Sequence, residues 1–375
     1  MSDLGAHLRA AREAAGYSLA RIAALTHFSK PYLGLVETGH RAVTADILDR
    51  YEQALGVSIG TALEPVRVTH EWLISDSPAV CHLKAGHKVG RALVSHLEGR
   101  MIELRHLDDT VSSSHLLPVI AKELSEAETV AAQATYTDEL GVRLLTVIGE
   151  LAQLAGWVAS DAGHYPKAQQ HYLSGVEAAE RAGDKTLGAQ LLSCLAYQIA
   201  NIGKREDALL IARSAVKGAT AATPVVRALL LERFAWAAAR IKDADTTRHA
   251  LDAVDDAYEQ RSADICEPEW VYWLDRGEID VMAGRCLIEL GKPANAEPLL
   301  NRALAAYNSS HLRETGLYQT WLAEGYARAG DLDAAKATLD HARAIADRVE
   351  SARLQRRITA IGHLISKRAG NTANR

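Results

Sequence analysis

Residues 18–41, SLARIAALTHFSKPYLGLVETGHR, have the pattern of two short helices separated by a tight break. Ser18 precedes the first helix, where its hydroxyl can accept a hydrogen bond from a backbone N–H that lacks a partner in the first turn. Four apolar residues then recur at helical spacing and predict a buried stripe: Leu19, Ile22, Ala23 and Leu25. The stripe predicts that this helix packs against its neighbours along one face.

The second helix of the pair has start and stop signals of its own. Ser29 is predicted to cap it, and Pro31 falls in its first turn, where a missing N–H costs nothing. His27 lies where the chain must turn between the two helices. Gly39 is predicted to end the second helix, because glycine adopts the left-handed conformation that helix ends often need.

Over roughly residues 4–57 the chain resembles the XRE-type helix-turn-helix family, which is related to the phage repressors. The resemblance rests on the start LRAAREAAGYSLARIA, on the S-x-x-x-I-A core, and on the closing Glu37, Gly39 and Arg41. It implies that the second helix enters the major groove of double-stranded DNA. Lys30, Pro31 and Tyr32 would then lie at its leading end, where base edges are read.

The DNA-contacting set implied by this resemblance includes residues that flank both helices. It comprises Ser18, Leu19, Arg21, Ser29, Lys30, Pro31, Tyr32 and Arg41. Two positions depart from the family pattern: Leu19 stands where glutamine is usual, and His27 stands where the turn often has glycine. An alternative therefore stays open, in which the domain dimerises or docks without reading DNA.

The charge of the amino-terminal region indicates how strongly it could bind DNA. The whole chain has a formal net charge of −5, and in residues 1–60 six cations balance six anions. A neutral domain gains little from the release of counterions, so one copy should bind weakly. We therefore expect two copies to act together on one DNA molecule, in a homodimer.

Cysteine usage and hydropathy indicate the compartment. Cys81, Cys194, Cys266 and Cys286 show no CxxC spacing, which is typical of reduced, buried thiols rather than a disulfide framework or a zinc site. No apolar run is expected to span a bilayer, and no cleavable signal is apparent. A cytoplasmic protein without a membrane partner is predicted.

Three segments are predicted from the positions of helix breakers and repeats: a helix-turn-helix domain at 1–62, a helical connector at 63–139 and a repeat array at 140–375. The connector should contain helices near 88–107 and 117–134, because apolar residues recur there at three- and four-residue spacing. These helices could dimerise or could pack within a bundle, and the sequence favours neither.

From about residue 140 the chain repeats with a period near forty. Glycines separate paired helices at Gly163, Gly203, Gly291 and Gly330, and Lys242 occupies the matching place in a looser copy. Small residues recur seven before and five and twelve after each glycine, which lets paired helices approach closely. This pattern resembles the tetratricopeptide repeat, with a longer period. It implies an all-α fold in which five helical hairpins form a right-handed solenoid, followed by a helix at about 352–367 and a frayed tail from 370.

The concave face of such a solenoid can be located from the turns. Residues two and six before each turn share a helix face, and in the first four hairpins they form the predicted ligand site: Trp157, Asp161, Tyr197, Asn201, Trp236, Arg240, Arg285 and Glu289. Aromatic residues would hold an apolar body, and the arginines would bind carboxylates. The alternative is a solvated wall whose charges pair with one another, for example Arg285 with Glu289.

Motifs for catalysis are not found in the sequence: neither a nucleophile elbow, a phosphate-binding loop, a dinucleotide fingerprint nor a zinc-protease motif occurs. We therefore predict a transcriptional regulator rather than an enzyme, with no cofactor and with a small molecule or peptide as effector. The main alternative is a protein-interaction adaptor of the tetratricopeptide type, whose first domain docks or dimerises.

Overall fold

The computed structural model describes residues 4–41, 43–55, 89–109, 111–307, 312–349 and 351–373. The chain divides into two compact units, Met1–Val68 and Thr69–Arg375. Every long element in the described ranges is an α-helix, and this confirms the predicted fold class. Seventeen such helices are seen there, four of them in the first unit and thirteen in the second.

The first unit is a small bundle around one apolar core. Its helices are α1 (Leu4–Ala14), α2 (Leu19–Thr26), α3 (Lys30–Glu37) and α4 (Ala45–Leu55). All four helices contribute to the core through side chains with no solvent exposure: Leu8, Ile22, Leu33, Val36, Ile47 and Tyr51. The apolar faces of these short helices are therefore stabilised mainly by packing against one another.

The predicted caps and turn of α2 and α3 are confirmed. Ser18 Oγ accepts a hydrogen bond from the Arg21 N–H at 3.2 Å, and Ser29 Oγ accepts one from the Tyr32 N–H at 3.4 Å. His27 ends α2 in the left-handed conformation, with φ of 58°. Gly39, just after α3, has φ of 76°.

The predicted burial of Leu25 is wrong, since its side chain is 48 % exposed. The buried face of α2 consists of Ile22, Ala23 and Thr26. With ~100° of rotation per residue, Leu25 lies roughly 100° from the centre of that face. Thr26 occupies the inward position instead, because its hydroxyl donates to the Ile22 carbonyl at 2.7 Å and is thereby satisfied.

A buried ion pair connects α1 to α3. The Arg12 guanidinium donates from Nε and Nη2 to the two carboxylate oxygens of Glu37, both at 2.7 Å. Tyr51 Oη of α4 also donates to Glu37, at 2.9 Å. Because all three groups are buried and bonded, this cluster fixes the relative positions of α1, α3 and α4.

The second unit contains the connector helices and the hairpin array. Its helices are α5 (Arg91–Leu107), α6 (Ser113–Gln133), α7 (Asp138–Asp161), α8 (Tyr165–Ala182), α9 (Lys185–Ile202), α10 (Arg205–Gly218), α11 (Pro224–Arg240), α12 (Ala244–Glu259), α13 (Arg276–Glu289), α14 (Pro293–Ala306), α15 (Leu312–Ala329), α16 (Leu332–Ala346) and α17 (Ala352–Ala373). A 3₁₀ turn, Glu269–Val271, lies between α12 and α13.

The helices from α7 to α16 pair as five hairpins, as predicted from the period. Three of the turns contain a glycine with positive φ, at Gly163, Gly291 and Gly330. Lys242 fills the same place with φ of 67°, whereas Gly203 is extended, with φ of −122°. The first, fourth and fifth turns of the array therefore use glycine for a left-handed step, and Lys242 makes that step in the third turn without it.

Close helix approach within the hairpins explains the small residues seven before each turn. A Cβ at Gly156 would overlap the ring of Tyr172, and one at Gly284 would lie 2.9 Å from Cγ of Leu300. In both cases the facing side chain comes from the second helix of the same hairpin. Larger residues here would separate the paired helices.

Helices α5 and α6 begin at Arg91 and Ser113, close to the predicted starts, and both pack against α7. Val94, Met101 and Leu104 of α5 are buried there. The connector helices therefore have the bundle packing, one of the two alternatives left open by the sequence. The first part of the predicted connector, residues 63–88, lies outside the described residues.

Two other expectations about helices are corrected. The predicted frayed tail from Gly370 is wrong, because α17 continues to Ala373; one glycine costs a helix about 1 kcal/mol and does not end it. Helix α7 is long and apolar enough to cross a membrane by length and composition, contrary to the expectation from the sequence. In this structure 72 % of its most apolar stretch is buried inside the protein, as the first helix of the array.

The expectation of buried thiols is only partly correct. Cys194 and Cys286 are buried, but Cys266 is exposed because it lies in the loop that precedes the 3₁₀ turn. Cys81 lies outside the described residues.

Candidate functional site

The residues predicted to contact DNA divide into an exposed group and a half-buried pair. The exposed group comprises Ser18, Arg21, Ser29, Lys30, Pro31 and Arg41. Leu19 and Tyr32 are half-buried and pack against the core of the first unit. Tyr32 lies 5.7 Å from Phe28, ring to ring, and the Arg41 guanidinium lies 5.8 Å from the Tyr32 ring. Tyr32 thus contributes to packing as well as to the surface of α3.

The eight residues of the predicted ligand site all line one cavity of about 290 Å³ in the second unit, which we call the groove. They come from α7, α9, α11 and α13, two residues from each helix. The residues chosen by their offset from the turns are therefore brought together on the concave side of the hairpins. Their role in binding a ligand stays a prediction.

Further residues that line the groove lie outside the predicted ligand set and belong to later helices. They are Trp321 and Arg328 of α15, and Arg353, Arg356 and Arg357 of α17. Arg328 lies two residues before the turn at Gly330, which is the position of the fifth hairpin that corresponds to Asp161, Asn201, Arg240 and Glu289. The α17 arginines lie outside the repeats, so no offset from a turn could identify them.

Aromatic rings and guanidinium groups alternate along the groove. Trp157 and Tyr197 stack with centroids 6.0 Å apart, and Trp236 meets Trp321 edge to face at 5.9 Å. The Arg285 guanidinium lies 4.4 Å from the Trp236 ring and 4.3 Å from the Trp321 ring. Cation–π contact with two indoles replaces the Arg285–Glu289 pair considered from the sequence.

The acidic residues of the groove are engaged by other cations. Glu289 accepts from Arg240 at 3.2 Å, from Lys242 at 2.7 Å and from Arg328 at 3.5 Å. These contacts join the third, fourth and fifth hairpins. Charge pairing across hairpins, the alternative raised by the sequence, is thus present at this end of the groove.

The amide of Asn201 is satisfied within the groove. Its Nδ2 donates to the Tyr197 carbonyl at 2.7 Å, and its Oδ1 accepts from Trp236 Nε1 at 3.3 Å. These bonds use both ends of the amide to hold two aromatic residues in place.

Tyr197 is the residue on which most of the cationic side chains converge. Burial by itself raises the pKa of its phenol, but the positive charges of Arg285, Arg353 and Arg233 lower the pKa by more than burial raises it. The resulting pKa is about 7. Arg353 Nη2 donates to Tyr197 Oη at 2.7 Å. The phenol can therefore change its protonation state near neutral pH.

A second and larger cavity, of about 530 Å³, lies behind the aromatic wall of the groove; we call it the chamber. The two cavities share Trp157, Asp161, Tyr197, Arg285, Leu317, Trp321 and Arg353 as lining residues. Trp270, Tyr272 and Trp273, from the segment between α12 and α13, also line the chamber. Tyr272 Oη donates to Asp109 Oδ2 at 2.6 Å, which joins this segment to the end of α5.

Among the described residues, no group of three His, Cys, Asp or Glu side chains is arranged to hold a metal ion.

Comparison with known proteins gives one family match. Residues 3–64 match the family described as helix-turn-helix domain. The comparison with curated protein sequences gives no match.

Several solved structures are similar in architecture. The crystal structure of BtubC (BKLC) from P. vanneervenii is 16 % identical, with a TM-score of 0.44, over 64 % of this chain and 92 % of that one. Bacillus thuringiensis PlcR in complex with the peptide PapR7 and DNA is 13 % identical, with a TM-score of 0.40, over 86 % and 99 %. PrgX in its complex with iCF10 is 11 % identical, with a TM-score of 0.36, over 88 % and 98 %.

The assignment of the first unit comes from the family match and from this chain's own residues, since all three TM-scores lie below 0.5. Helices α1 to α4, with their capped turn and shared core, fall within the matched residues. The first unit of the chain is a helix-turn-helix domain.

Proposed function

We propose that this protein is a sequence-specific, DNA-binding transcriptional regulator, and that a ligand bound in the groove of the hairpin array controls its affinity for DNA. The observation that carries the proposal is the presence, in one chain, of a helix-turn-helix domain and a cavity lined by arginines and aromatic rings. The ligand is a small molecule or a peptide. The protein binds rather than catalyses.

The exposed residues at the start of α3 support DNA reading. Ser29, Lys30 and Pro31 are exposed at its amino-terminal end, where an XRE-type domain would meet base edges. The backbone N–H groups and the dipole of this end favour phosphate as well. With balanced charge in residues 1–60, tight binding requires two copies, so the active form is a cytoplasmic homodimer on an operator.

The charge of the groove supports an anionic ligand. Six arginines line it: Arg240, Arg285, Arg328, Arg353, Arg356 and Arg357. Three acids line it as well, Asp161, Glu289 and Glu324, which leaves a formal charge of +3. Guanidinium groups bind carboxylates and phosphates through paired hydrogen bonds, and the neighbouring indoles suit an apolar body.

Helix α17 links the occupancy of the groove by a ligand to the arrangement of the hairpins. Arg353 bonds to Tyr197, and Arg356 Nη2 donates to the Asp161 carbonyl at 2.9 Å, so α17 connects directly to the first two hairpins. A ligand that replaces these contacts favours another arrangement of the array. A tenfold change in DNA affinity needs only about 1.4 kcal/mol of coupling.

Selection of bound fragments from the source genome tests the DNA part of the proposal. We expect the full chain to enrich one common sequence, and the Lys30→Glu variant to lose that enrichment. Lys217→Glu, which changes an exposed lysine on α10, is the matched control and should enrich the same sequence. An adaptor that docks through its first domain would enrich no common sequence in any variant.

Extracts of the source cells test the ligand part. We expect an extract fraction to change the retardation of the selected DNA by the wild-type protein. Arg240→Met should reduce that change, because Arg240 lines the groove. Arg227→Met alters an exposed arginine of the same helix and should respond like the wild type.

A further inference from the structure

The chamber contains two buried arginines that each have an N–H donor without a hydrogen-bond acceptor. Arg233 and Arg285 are each only 5 % exposed, and both line the chamber. Among the described residues, the Nε atoms of both side chains lack a hydrogen-bond partner. Arg233 forms an ion pair with the neighbouring Glu232, but the distance of 3.7 Å from Nε to Oε1 is too long for a hydrogen bond, and Glu232 Oε2 is without a hydrogen-bond partner as well.

Aromatic faces surround these guanidinium groups. Arg233 lies 4.2 Å from the Tyr197 ring, 5.6 Å from the Trp157 ring and 5.7 Å from the Trp273 ring. Arg285 lies between two indoles of the groove wall. Cation–π contacts stabilise the guanidinium groups against these rings, but they satisfy none of the N–H donors that lie in the guanidinium plane.

The other acids of the chamber are engaged by nearer donors. Glu278 accepts from Tyr307 Oη at 2.5 Å and also from Tyr318 Oη. Asp108 lies 3.8 Å from Arg313, and Asp109 accepts from Tyr272. These carboxylates are therefore held away from Arg233 and Arg285.

The size and lining of the chamber define what could accept hydrogen bonds from the two free Nε–H groups. Its volume of about 530 Å³ falls in the range that holds a small organic molecule. Four indoles line it, from Trp157, Trp270, Trp273 and Trp321, together with apolar Val281 and Met282. Such walls suit a planar ring, and the two free guanidinium Nε–H groups suit a carboxylate.

We propose that the chamber is a binding site for an aromatic carboxylate of one or two rings. Its carboxylate lies between Arg233 and Arg285, and its ring lies among the indoles. This site is distinct from the groove, and it depends on the proposed function only for its effect on DNA binding. Since the two cavities share Tyr197, Arg285 and Arg353, an occupant of the chamber also changes the wall of the groove.

Binding to the purified full chain, without DNA, tests the proposal. The probes are indole-3-acetate and 4-hydroxyphenylacetate, and the matched controls are their uncharged amides. By titration calorimetry and tryptophan fluorescence we expect at least one carboxylate to bind, and its amide to bind roughly tenfold or more weakly. Binding of neither carboxylate, or equal binding of acid and amide, overturns the proposal.

Substitutions test whether the ligand lies in the chamber. Arg233→Met should weaken binding of the carboxylate by roughly ten- to a hundredfold, whereas Arg227→Met on the same helix should not change it. Should Arg233→Met fail to fold, Arg285→Met is measured in its place, with the same expected loss.

A third variant separates the two cavities. Arg356 lines the groove and not the chamber. Arg356→Ala should therefore bind the carboxylate as the wild type does. Loss of binding in Arg356→Ala with retention in Arg233→Met would place the ligand in the groove and overturn the chamber site. Because DNA is absent, these outcomes do not depend on the genomic selection, and either proposal can fail alone.

Discussion

Arg353 and Tyr197 are joined by a hydrogen bond of 2.7 Å, although 156 residues separate them in the sequence. The bond connects α17, which follows the last hairpin, to the second hairpin. It also lies in the wall that the groove shares with the chamber. Both cavities therefore depend on contacts between parts of the chain that no repeat unit brings together.

Tyr197 should make stability depend on pH above neutrality. Its pKa of about 7 in the folded protein lies below the usual value of 10, so the folded state binds fewer protons than the unfolded state between these values. This contribution to stability is present above pH 10 and is lost as the pH falls through 7.

The unfolding free energy of the wild type should accordingly rise from pH 7 to pH 10 relative to that of Tyr197→Phe. Urea unfolding of both proteins across this range measures the difference, and subtraction removes the other tyrosines. A phenolate absorbance band that appears near pH 7 only in the wild type is the spectroscopic counterpart. Parallel stability curves would contradict the expectation.

Glu37→Gln should destabilise the helix-turn-helix domain by about 3–5 kcal/mol, because it removes the buried carboxylate that accepts two hydrogen bonds from Arg12. Urea unfolding followed by a probe in the first unit would measure this loss. Asp46→Asn is the matched control, since Asp46 is exposed on α4 and pairs with Arg50 on the surface. Its free energy of unfolding should equal that of the wild type. Equal losses of stability in both variants would show that the buried ion pair stabilises the domain no more than a surface pair does.

Lys30→Ala should weaken operator binding by roughly ten- to a hundredfold while the thermal melt stays unchanged, because Lys30 is exposed and predicted to read bases. Tyr32→Ala should lower both the affinity and the melting temperature, because Tyr32 also packs against Phe28. Titration of the selected DNA together with thermal melts separates the two effects. Full DNA affinity in Lys30→Ala would show that the start of α3 is not part of the DNA interface.

Gly156→Ala should destabilise the second unit by about 1–3 kcal/mol, because the new methyl group would overlap the Tyr172 ring. Gly99→Ala, in α5, meets nothing within 4 Å and should stabilise its helix by up to about 1 kcal/mol. Thermal or urea unfolding of the two variants would check these opposite signs. If Gly99→Ala were destabilised as well, the loss of stability in Gly156→Ala could not be assigned to overlap with the Tyr172 ring.

Much of the fold could be predicted from local signals. The caps at Ser18 and Ser29 and the turn at His27 each depend on residues within one helical turn, so they are readable along the chain. The hairpins were found because small residues recur wherever two helices must touch. Offsets from those turns also identified the eight groove residues, since the repeats place equivalent positions on one face.

What could not be predicted depends on contacts outside the repeat. Arg353 and its neighbours on α17 reach the groove across the array, and no spacing relates them to Tyr197. The chamber was missed because Trp270 and Trp273 lie in an irregular segment without a period. Glu37 was noted as part of a motif, but its partner Arg12 is chosen by the packing of α1 on α3.

Lys242 shows how a departure from the glycine pattern can be useful. It adopts φ of 67° at the third turn, whereas the other four turns have glycine at the matching position. Its ammonium donates to both the backbone and the side chain of Glu289. Glycine would make the same turn with less backbone strain, but it would remove one of the two cations through which the third hairpin contacts Glu289, leaving Arg240 as the other. The side chain of a turn residue thus adds a contact between neighbouring hairpins, so Lys242→Gly should loosen the stack although relief of backbone strain alone would stabilise it.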